Sequence, residues 1–396
     1  MNITPAMAQY YEMKEEYKDC ILFFRMGDFY EMFDEDAKIA NKILGIAVTS
    51  RNKNAANPTP LAGIPYHAKE KYLPLLVNAG YKVAFAEQVS DPKLKGIVKR
   101  EVVRVVTPST LSLEGENYES EISSNYIISL IEKDGFFGIS LLDLSTNKWS
   151  TGEFDNFENL KSELYKLSPK EVILDKKLFG NENIIDVLEK KYSLNIYYFE
   201  PKQKSNKKLL EHFGVNSLEG YGIEDKKLSQ DASSMLLEYL EANQKTKLSF
   251  LNKISYISYD SYMNLDESTI KNLDLIYNYS TKSPTHGTLF GVLNKTKTPM
   301  GNGFLREQIL KPLNNIDEIN NRLNFIEEFT KNKILLDKVR AKLEYISNIN
   351  SILNRLALNR AGPRDLINLK KSLQSILEVH EIIQLEGSDK LKQIII

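Results

Sequence analysis

The stretch Arg25-Met26-Gly27-Asp28-Phe29-Tyr30-Glu31-Met32-Phe33 follows directly on the apolar run Ile21-Leu22-Phe23-Phe24. An apolar run of this length is typical of a buried strand, and Gly27-Asp28 is typical of a tight turn. The aromatic-rich residues Phe29 to Phe33 then predict a returning strand. The sequence therefore predicts a β-hairpin centred on Gly27-Asp28.

Side chains of the returning strand alternate between the two faces of a sheet. Phe29, Glu31 and Phe33 are expected on one face, with Tyr30 and Met32 on the other. Two positions along a strand span about 6 to 7 Å. An aromatic ring and a carboxylate are therefore expected side by side near the turn.

This pairing of ring and carboxylate has two interpretations. A ring can wedge between base pairs and kink a duplex, at an unstacking cost that is lowest where pairing is already weak. A carboxylate beside the ring could accept a hydrogen bond from the disturbed base, or donate one if it is protonated. In the alternative interpretation, Phe29 and Phe33 are ordinary core aromatics.

Three motifs in order favour the first interpretation: Gly27-Asp28-Phe29-Tyr30-Glu31, Gly63-Ile64-Pro65-Tyr66-His67 and Val106-Thr107-Pro108. Together they resemble the N-terminal part of the MutS family. The resemblance implies that Phe29 and Glu31 are the pair that contacts a mismatched base. It continues to Thr298-Pro299-Met300-Gly301, which is similar to the start of the family's lever region.

The resemblance implies a multidomain α/β protein. The expected parts are a mixed α/β mismatch-recognition domain (1–112), a linker (113–122), an RNase H-like α/β connector domain (123–245) and an all-α lever region (246–396). Local patterns agree with this order. Short strands and helices are predicted up to about residue 245, and apolar residues recur at helical spacing from Ile316 to Phe329.

Composition and charge are compatible with DNA binding by a cytoplasmic, nucleoid-associated protein. The 396 residues are 42% hydrophobic and 27% charged, with one cysteine, which excludes a disulfide framework. The N-terminal residues lack the pattern of a signal peptide, and no apolar stretch approaches the roughly 18 residues of a membrane span. The net charge is only −1, but residues 37–112 hold 12 Lys and Arg against 4 Asp and Glu.

This basic segment contains the candidate contacts to the DNA backbone, because phosphates are bound mainly by lysine and arginine. In the alternative interpretation these residues form a solvated surface face. His67 has no Cys or acidic partner at metal-ligand spacing, so a structural hydrogen-bonding role is predicted and no metal site. The candidates are Arg51, Lys53, Lys93, Lys95, Lys99, Arg100 and Arg104.

An RNase H-like fold also raises the hypothesis of a metal-dependent nuclease. Asp143 at the end of a predicted strand could be one ligand, with Asp175 as the comparable second carboxylate. Two-metal chemistry needs several acids that converge on ions about 3.5 to 4 Å apart. A lone aspartate at a strand end is more often a turn or cap residue.

No phosphate-binding loop of the form G-x-x-x-x-G-K-[ST] occurs in the sequence. We therefore expect no catalytic site and no cofactor in this chain, with ATP and Mg²⁺ bound only by full-length family proteins. The resemblance implies mismatched double-stranded DNA, MutL and a second MutS subunit as partners. It also predicts that the chain is a truncated product or an excised fragment. A further alternative is an interaction protein that competes for MutS partners and binds DNA weakly.

Overall fold

The computed structural model describes residues 4–51, 58–90, 98–114, 125–144, 146–202, 205–257 and 262–394. The chain divides into two compact units. The first comprises Met1–Leu111 and Leu237–Ser249, and the second comprises Ser112–Leu236 and Phe250–Ile396. Both units contain a six-stranded sheet. The predicted α/β class is confirmed, while the exact domain boundaries stay predictions.

The first unit contains a mixed sheet in the order β3-β4-β2-β1-β5-β6. The predicted hairpin is present, because β1 and β2 pair antiparallel across Gly27-Asp28. β1 also pairs in parallel with β5 at the centre of the sheet. The strands are β1 (Cys20–Met26), β2 (Phe29–Phe33), β3 (Thr49–Arg51), β4 (Thr59–Pro65), β5 (Lys82–Gln88) and β6 (Arg100–Val106).

Helices described in the N-terminal part of this unit are α1 (Pro5–Glu16), α2 (Asp34–Leu44) and α3 (Lys69–Asn78). Thr4-Pro5 is the start of the first helix, since Thr4 is the N-cap of α1 and Pro5 its first residue. Tyr10 of α1 packs edge-on against Phe33, with ring centroids 4.7 Å apart. This contact fixes α1 on the sheet face that carries Phe33.

The second unit begins with a three-stranded antiparallel meander and continues with two strands parallel to the first of them. This arrangement agrees with the expected RNase H-like domain. The strands are β7 (Tyr126–Lys133), β8 (Phe136–Asp143), β9 (Lys148–Phe154), β10 (Glu171–Leu174), β11 (Ile196–Tyr198) and β12 (Ser255–Tyr256). The helices are α4 (Phe157–Leu167), α5 (Lys176–Phe179), α6 (Glu182–Asp186), α7 (Ser205–Phe213) and α8 (Lys227–Gln244), of which residues 237–244 belong to the first unit.

The remainder of the second unit is helical, as predicted for the lever region. Thr298 caps α11, because its Oγ1 accepts a hydrogen bond from the Gly301 N–H at 2.9 Å. The helices are α9 (Glu267–Asn272), α10 (Leu289–Leu293), α11 (Pro299–Leu310), α12 (Ile316–Lys331), α13 (Lys333–Leu343), α14 (Ile349–Ala357), α15 (Pro363–Glu386) and α16 (Asp389–Ile394). The Thr298-Pro299-Met300-Gly301 motif is therefore a helix start.

Polar contacts attach α14 to its surroundings in this unit. Asn354 is fully buried and donates to the Leu144 carbonyl at 2.8 Å. Arg355, also fully buried, donates to Asp365 Oδ1 from Nη2 at 2.6 Å. Short turns of other helical types also occur among the described residues: Tyr66–Ala68, Leu111–Glu114 and Glu219–Tyr221 are 3₁₀, and Val187–Lys191 is a π-turn.

The predicted linker begins inside one of these turns. Leu113 is buried, and Glu114 forms an ion pair of 3.1 Å with Arg360. The rest of the predicted linker, residues 115–122, lies outside the described residues. Among the helices that the structure describes, none is both long and apolar enough to cross a membrane.

Candidate nucleic-acid interface

The hairpin of β1 and β2 turns within two residues. Gly27 has a φ of +56°, a conformation that glycine adopts without steric cost. The Asp28 carbonyl accepts a hydrogen bond from the Tyr66 N–H at 2.9 Å, which ties the turn to the end of β4. The next residue, Phe29, is therefore held in place by pairing with both β1 and β4.

Phe29 is the exposed aromatic of β2. Its exposed fraction is 46%, against 2% for Tyr30 and 0% for Phe33. The core interpretation is therefore confirmed for Phe33 and wrong for Phe29. An exposed phenylalanine on a short, well-paired hairpin is available to contact another molecule.

Glu31 is half-buried and lies on the same sheet face as Phe29, as the alternation predicts. In the antiparallel register it stands opposite Phe24 of β1 and opposite Gly63 of β4. A Cβ added to Gly63 would lie 3.9 Å from both Glu31 Cγ and Phe29 Cδ1. The ring and the carboxylate thus border the same small space above the sheet.

Arg25 is a residue beside the turn that the sequence analysis missed; it pairs with Tyr30 across the β1–β2 ladder, so it lies on the sheet face opposite Phe29. Its guanidinium lies over the Tyr66 ring, with Cζ 3.7 Å from the ring centroid. Its Nε–H donates to the Gly27 carbonyl at 2.5 Å, which holds the guanidinium beside the turn. Its contact with Tyr66 depends on the pairing of β2 with β4, and no local pattern in the sequence indicates it.

The opposite face of the sheet is an aromatic cluster that supports the hairpin. Tyr30 stacks on Phe23 at 5.5 Å and meets Phe85 edge-on at 5.4 Å. Its hydroxyl donates to Glu87 Oε1. Burial, reinforced by that carboxylate, raises the pKa of Tyr30 well above its ordinary value, so the hydroxyl keeps its proton. Tyr30 therefore anchors β2 from below while Phe29 stays exposed.

The predicted contacts to the DNA backbone differ in their surroundings, and the structure describes only some of them. Lys99 is exposed and forms an ion pair of 2.5 Å with Glu101. Arg104 is half-buried, with its guanidinium 4.2 Å over the Phe85 ring. Arg51 ends β3, while Lys53, Lys93 and Lys95 lie outside the described residues.

Arg100 requires a correction. It is only 7% exposed, and its guanidinium donates to the carbonyls of Arg25 at 2.6 Å and Val98 at 3.0 Å. It also lies 5.0 Å over the buried Phe24 ring. A guanidinium held in this way stabilises the sheet and is poorly placed to reach a phosphate, so we remove Arg100 from the candidate contacts.

The Gly63-Ile64-Pro65-Tyr66-His67 motif completes the surroundings of the hairpin. Pro65 pairs with Phe29 in the β2–β4 ladder. Tyr66 is exposed, and the His67 ring lies edge-on to it at 5.7 Å. Within the described ranges, no group of three or more His, Cys, Asp or Glu side chains could hold a metal ion.

The nuclease hypothesis is wrong in its choice of carboxylates. Asp143 pairs with Tyr126 at the start of β7, while Leu174, just before Asp175, pairs with Leu130 of the same strand. Four residues along a strand separate the two sites by about 13 Å. Asp175 instead caps α5, since its Oδ1 accepts from the Leu178 N–H at 2.9 Å.

Together, the fold and the hairpin define a multidomain α/β protein that presents an aromatic ring and a carboxylate on one sheet face. Three family models match the chain: MutS domain I over residues 4–115, MutS domain II over 125–254 and MutS domain III over 268–395. The chain belongs to the MutS family, of which it contains domains I, II and III.

Relatives agree with the domain matches. The chain is 40% identical over 397 residues to "DNA mismatch repair protein MutS" of Lachnoclostridium phytofermentans. The matched region covers 99% of the chain and 42% of that relative. The protein of the same name from Methanosarcina mazei is 39% identical over 413 residues, covering 99% and 45%. The one from Caldanaerobacter subterraneus subsp. tengcongensis is 38% identical over 398 residues, covering 100% and 46%. The chain thus spans less than half the length of these relatives.

Proposed function

We propose that this chain binds mismatched or unpaired bases in double-stranded DNA, with Phe29 as a wedge in the base stack. The observation that carries the proposal is the 46% exposure of Phe29 on a hairpin whose other β2 aromatics are buried. Burying this ring in DNA offsets part of the cost of unstacking a base step, a few kcal/mol that is lowest at a mismatch. The wedge therefore selects deformable sites without reading sequence.

Glu31 is proposed to hydrogen-bond the base that the wedge disturbs. It lies on the same face as Phe29, and both side chains border the space above Gly63. Lys99 and Arg104 are proposed as contacts to the phosphates, with Arg51, Lys53, Lys93 and Lys95 as further candidates by sequence. The names of the relatives, which are mismatch repair proteins, support this assignment.

The test is fluorescence anisotropy of a matched duplex and of the same duplex with one G·T mismatch or one unpaired base, at one fixed salt concentration. The proposal predicts tighter binding of the 396-residue chain to the mismatched duplex. Equal affinity for the two duplexes would contradict it.

Glu31→Gln is expected to reduce discrimination mainly by strengthening binding to matched DNA. A carboxylate at a DNA surface is repelled by phosphates, and the amide removes that repulsion while keeping an acceptor oxygen. The affinity for the matched duplex should rise by up to about tenfold, which corresponds to about 1.4 kcal/mol. If matched binding is unchanged, Glu31 does not face the DNA.

Lys99→Ala is expected to weaken binding to matched and mismatched duplexes by the same factor. Loss of one phosphate contact should reduce the slope of log K against log salt by about 1. Lys18→Ala is the matched control, because Lys18 is also exposed and also paired with a glutamate, Glu15, in the acidic N-terminal segment. A salt slope that Lys99→Ala leaves unchanged would exclude Lys99 as a phosphate contact.

ATP hydrolysis and partner binding are further parts of the proposal. We propose that the chain does not turn over ATP by itself, because its sequence has no phosphate-binding loop. ATP and Mg²⁺ are assigned to longer family members only. MutL and a second MutS subunit are proposed partners on the basis of family membership.

A role as an interaction protein is the second candidate function. One helix carries large apolar side chains in solvent, since Ile316 is 73% exposed, Leu323 55% and Ile326 62%. An exposed apolar stripe of this kind is typical of a protein-binding surface. In this case the anisotropy experiment should give weak binding with no mismatch preference.

A further inference from the structure

Gly63 occupies a position in a strand where a side chain would fit. It lies in the interior of β4, where glycine is less favourable than alanine because the folded strand restricts its backbone more. A Cβ at this position would make only ordinary contacts: 3.5 Å to the Tyr30 carbonyl oxygen and 3.9 Å to Glu31 Cγ and to Phe29 Cδ1. The immediate protein neighbours do not require a glycine.

Backbone geometry does not require glycine at this position either. The φ of Gly63 lies outside the left-handed range, in contrast to the +56° of Gly27. The β2–β4 ladder runs through five consecutive pairs from Phe29↔Pro65 to Phe33↔Leu61 without a register shift. Neither a turn nor a β-bulge therefore explains the residue. A further reason for a glycine inside a strand is the close approach of a ligand or of another backbone.

The place of Gly63 indicates which molecule approaches. The gap above it is bordered by the exposed ring of Phe29 and by the half-buried Glu31. It offers an apolar wall, a hydrogen-bond acceptor and a floor without a side chain. A flat group with polar atoms on its edge fits these three features, and the edge of a nucleobase is such a group.

We propose that Gly63 is a specificity-determining residue, whose missing side chain leaves room for the edge of the base that Phe29 unstacks. The inference rests on the proposed function of Phe29 and Glu31 and adds a third element to their site. Substitution by a larger side chain should exclude the base from Glu31 while leaving the wedge and the phosphate contacts in place.

The test is binding of the full 396-residue Gly63→Val chain to matched, G·T-mismatched and abasic duplexes, with the thermal midpoint measured alongside. Valine favours strands, so the midpoint should stay unchanged or rise. Affinity for the mismatched duplex should fall about tenfold, near the lower end of a base-stacking contribution. Affinity for the abasic duplex, which has no base to accommodate, should stay within about twofold of wild type.

Two further variants complete the experiment. The Cβ of Gly63→Ala would make only ordinary contacts, so this variant should fold. If the valine variant fails to fold, Gly63→Ala replaces it on the same three duplexes, with a smaller expected loss of affinity for the mismatched duplex. Gly303→Ala is the matched control, because Gly303 is exposed in α11 with nothing within 4 Å of an added Cβ. It should bind all three duplexes like wild type.

Each outcome bears on the inference separately from the proposed function. If Gly63→Val binds the mismatched duplex as tightly as the wild-type chain does, the inference is overturned. The proposed function would still stand in that case if Phe29→Ala loses the preference for mismatched over matched DNA. Equal losses on mismatched and abasic duplexes would also overturn it, because the effect would not depend on a base. A wild-type chain without mismatch preference would overturn both. Loss confined to the mismatched duplex would support the inference.

Discussion

Phe29→Ala is expected to abolish the preference for mismatched DNA and to leave the fold intact. Stacking of an aromatic side chain on a base is worth about 1 to 3 kcal/mol, which is roughly a 5- to 150-fold loss in affinity for the mismatched duplex. Affinity for matched DNA should change little, because phosphate contacts supply most of it. The ring is 46% exposed in the free protein, so its removal leaves no buried cavity.

Two phenylalanine variants serve as controls for this result. Phe136 is 52% exposed at the start of β8 in the second unit, so Phe136→Ala removes an equally exposed ring and should keep the mismatch preference. Phe33 lies on the same face of β2 but is fully buried, so Phe33→Ala should destabilise the first unit by about 3 to 5 kcal/mol. Equal loss of preference in Phe29→Ala and Phe136→Ala would contradict a specific role for Phe29.

Arg355→Met is expected to destabilise the second unit by about 3 to 5 kcal/mol, because it leaves a buried carboxylate without its charged partner. Arg355 is 1% exposed and donates to Asp365 Oδ1 from both Nε and Nη2, at 3.2 and 2.6 Å. Urea unfolding followed by fluorescence of the single tryptophan, Trp149, measures the loss, since Trp149 is buried in β9 of this unit.

A surface ion pair that, like Arg355–Asp365, involves α15 is the control for Arg355→Met. Lys338 of α13 and Glu386 of α15 pair at 2.6 Å, but both side chains are exposed. Lys338→Met should therefore cost less than about 1 kcal/mol. The double variant Arg355→Met with Asp365→Leu should recover part of the stability, because it removes the stranded charge. An equal cost for the exposed and buried pairs would contradict the account of α14.

The same ion pair predicts a pH dependence. Burial alone would raise the pKa of Asp365, but hydrogen bonds from Arg355 and the Gly362 N–H, with the Arg355 charge, hold it below its ordinary value. The folded state therefore binds the proton less tightly than the unfolded state. The contribution is present above about pH 4, the pKa of an unfolded aspartate, and is lost as the pH falls through the lower folded value. Arg355→Met should weaken this acid dependence.

The local sequence was sufficient to predict the hairpin, because a glycine turn between two apolar strands is a short-range signal. It also placed Phe29 and Glu31 on one face, since alternation follows from strand geometry. It could not distinguish the exposed Phe29 from the buried Phe33. That difference depends on Tyr10, which packs on Phe33 from a helix more than twenty residues away.

Long-range packing also explains the residues that the sequence misassigned or missed. Arg100 is a basic residue in a basic segment. Its guanidinium, however, is hydrogen-bonded to two backbone carbonyls that only the folded sheet brings near it. Arg25 contacts Tyr66, which follows β4, a strand that is not a direct neighbour of β1. Asp143 and Asp175 both end strands, and only the sheet order shows that they stand at opposite ends.

The helices of the lever region were predicted by their apolar periodicity, but periodicity does not indicate what covers the apolar face. In α12, Ile316 is 73% exposed, Leu323 55% and Ile326 62%. The predicted helix is therefore confirmed, but its apolar side chains are not buried within the described part of this chain.

The most direct measurement of the central claim is the fluorescence of 2-aminopurine placed beside a G·T mismatch, titrated with wild-type chain and with Phe29→Ala. A ring inserted into the stack should unstack the probe base, so the account predicts a fluorescence increase with wild type at the mismatch. Phe29→Ala at saturating concentration should give no increase, and neither protein should give one on matched DNA. Saturated mismatch binding by wild type without any fluorescence change would contradict the wedge.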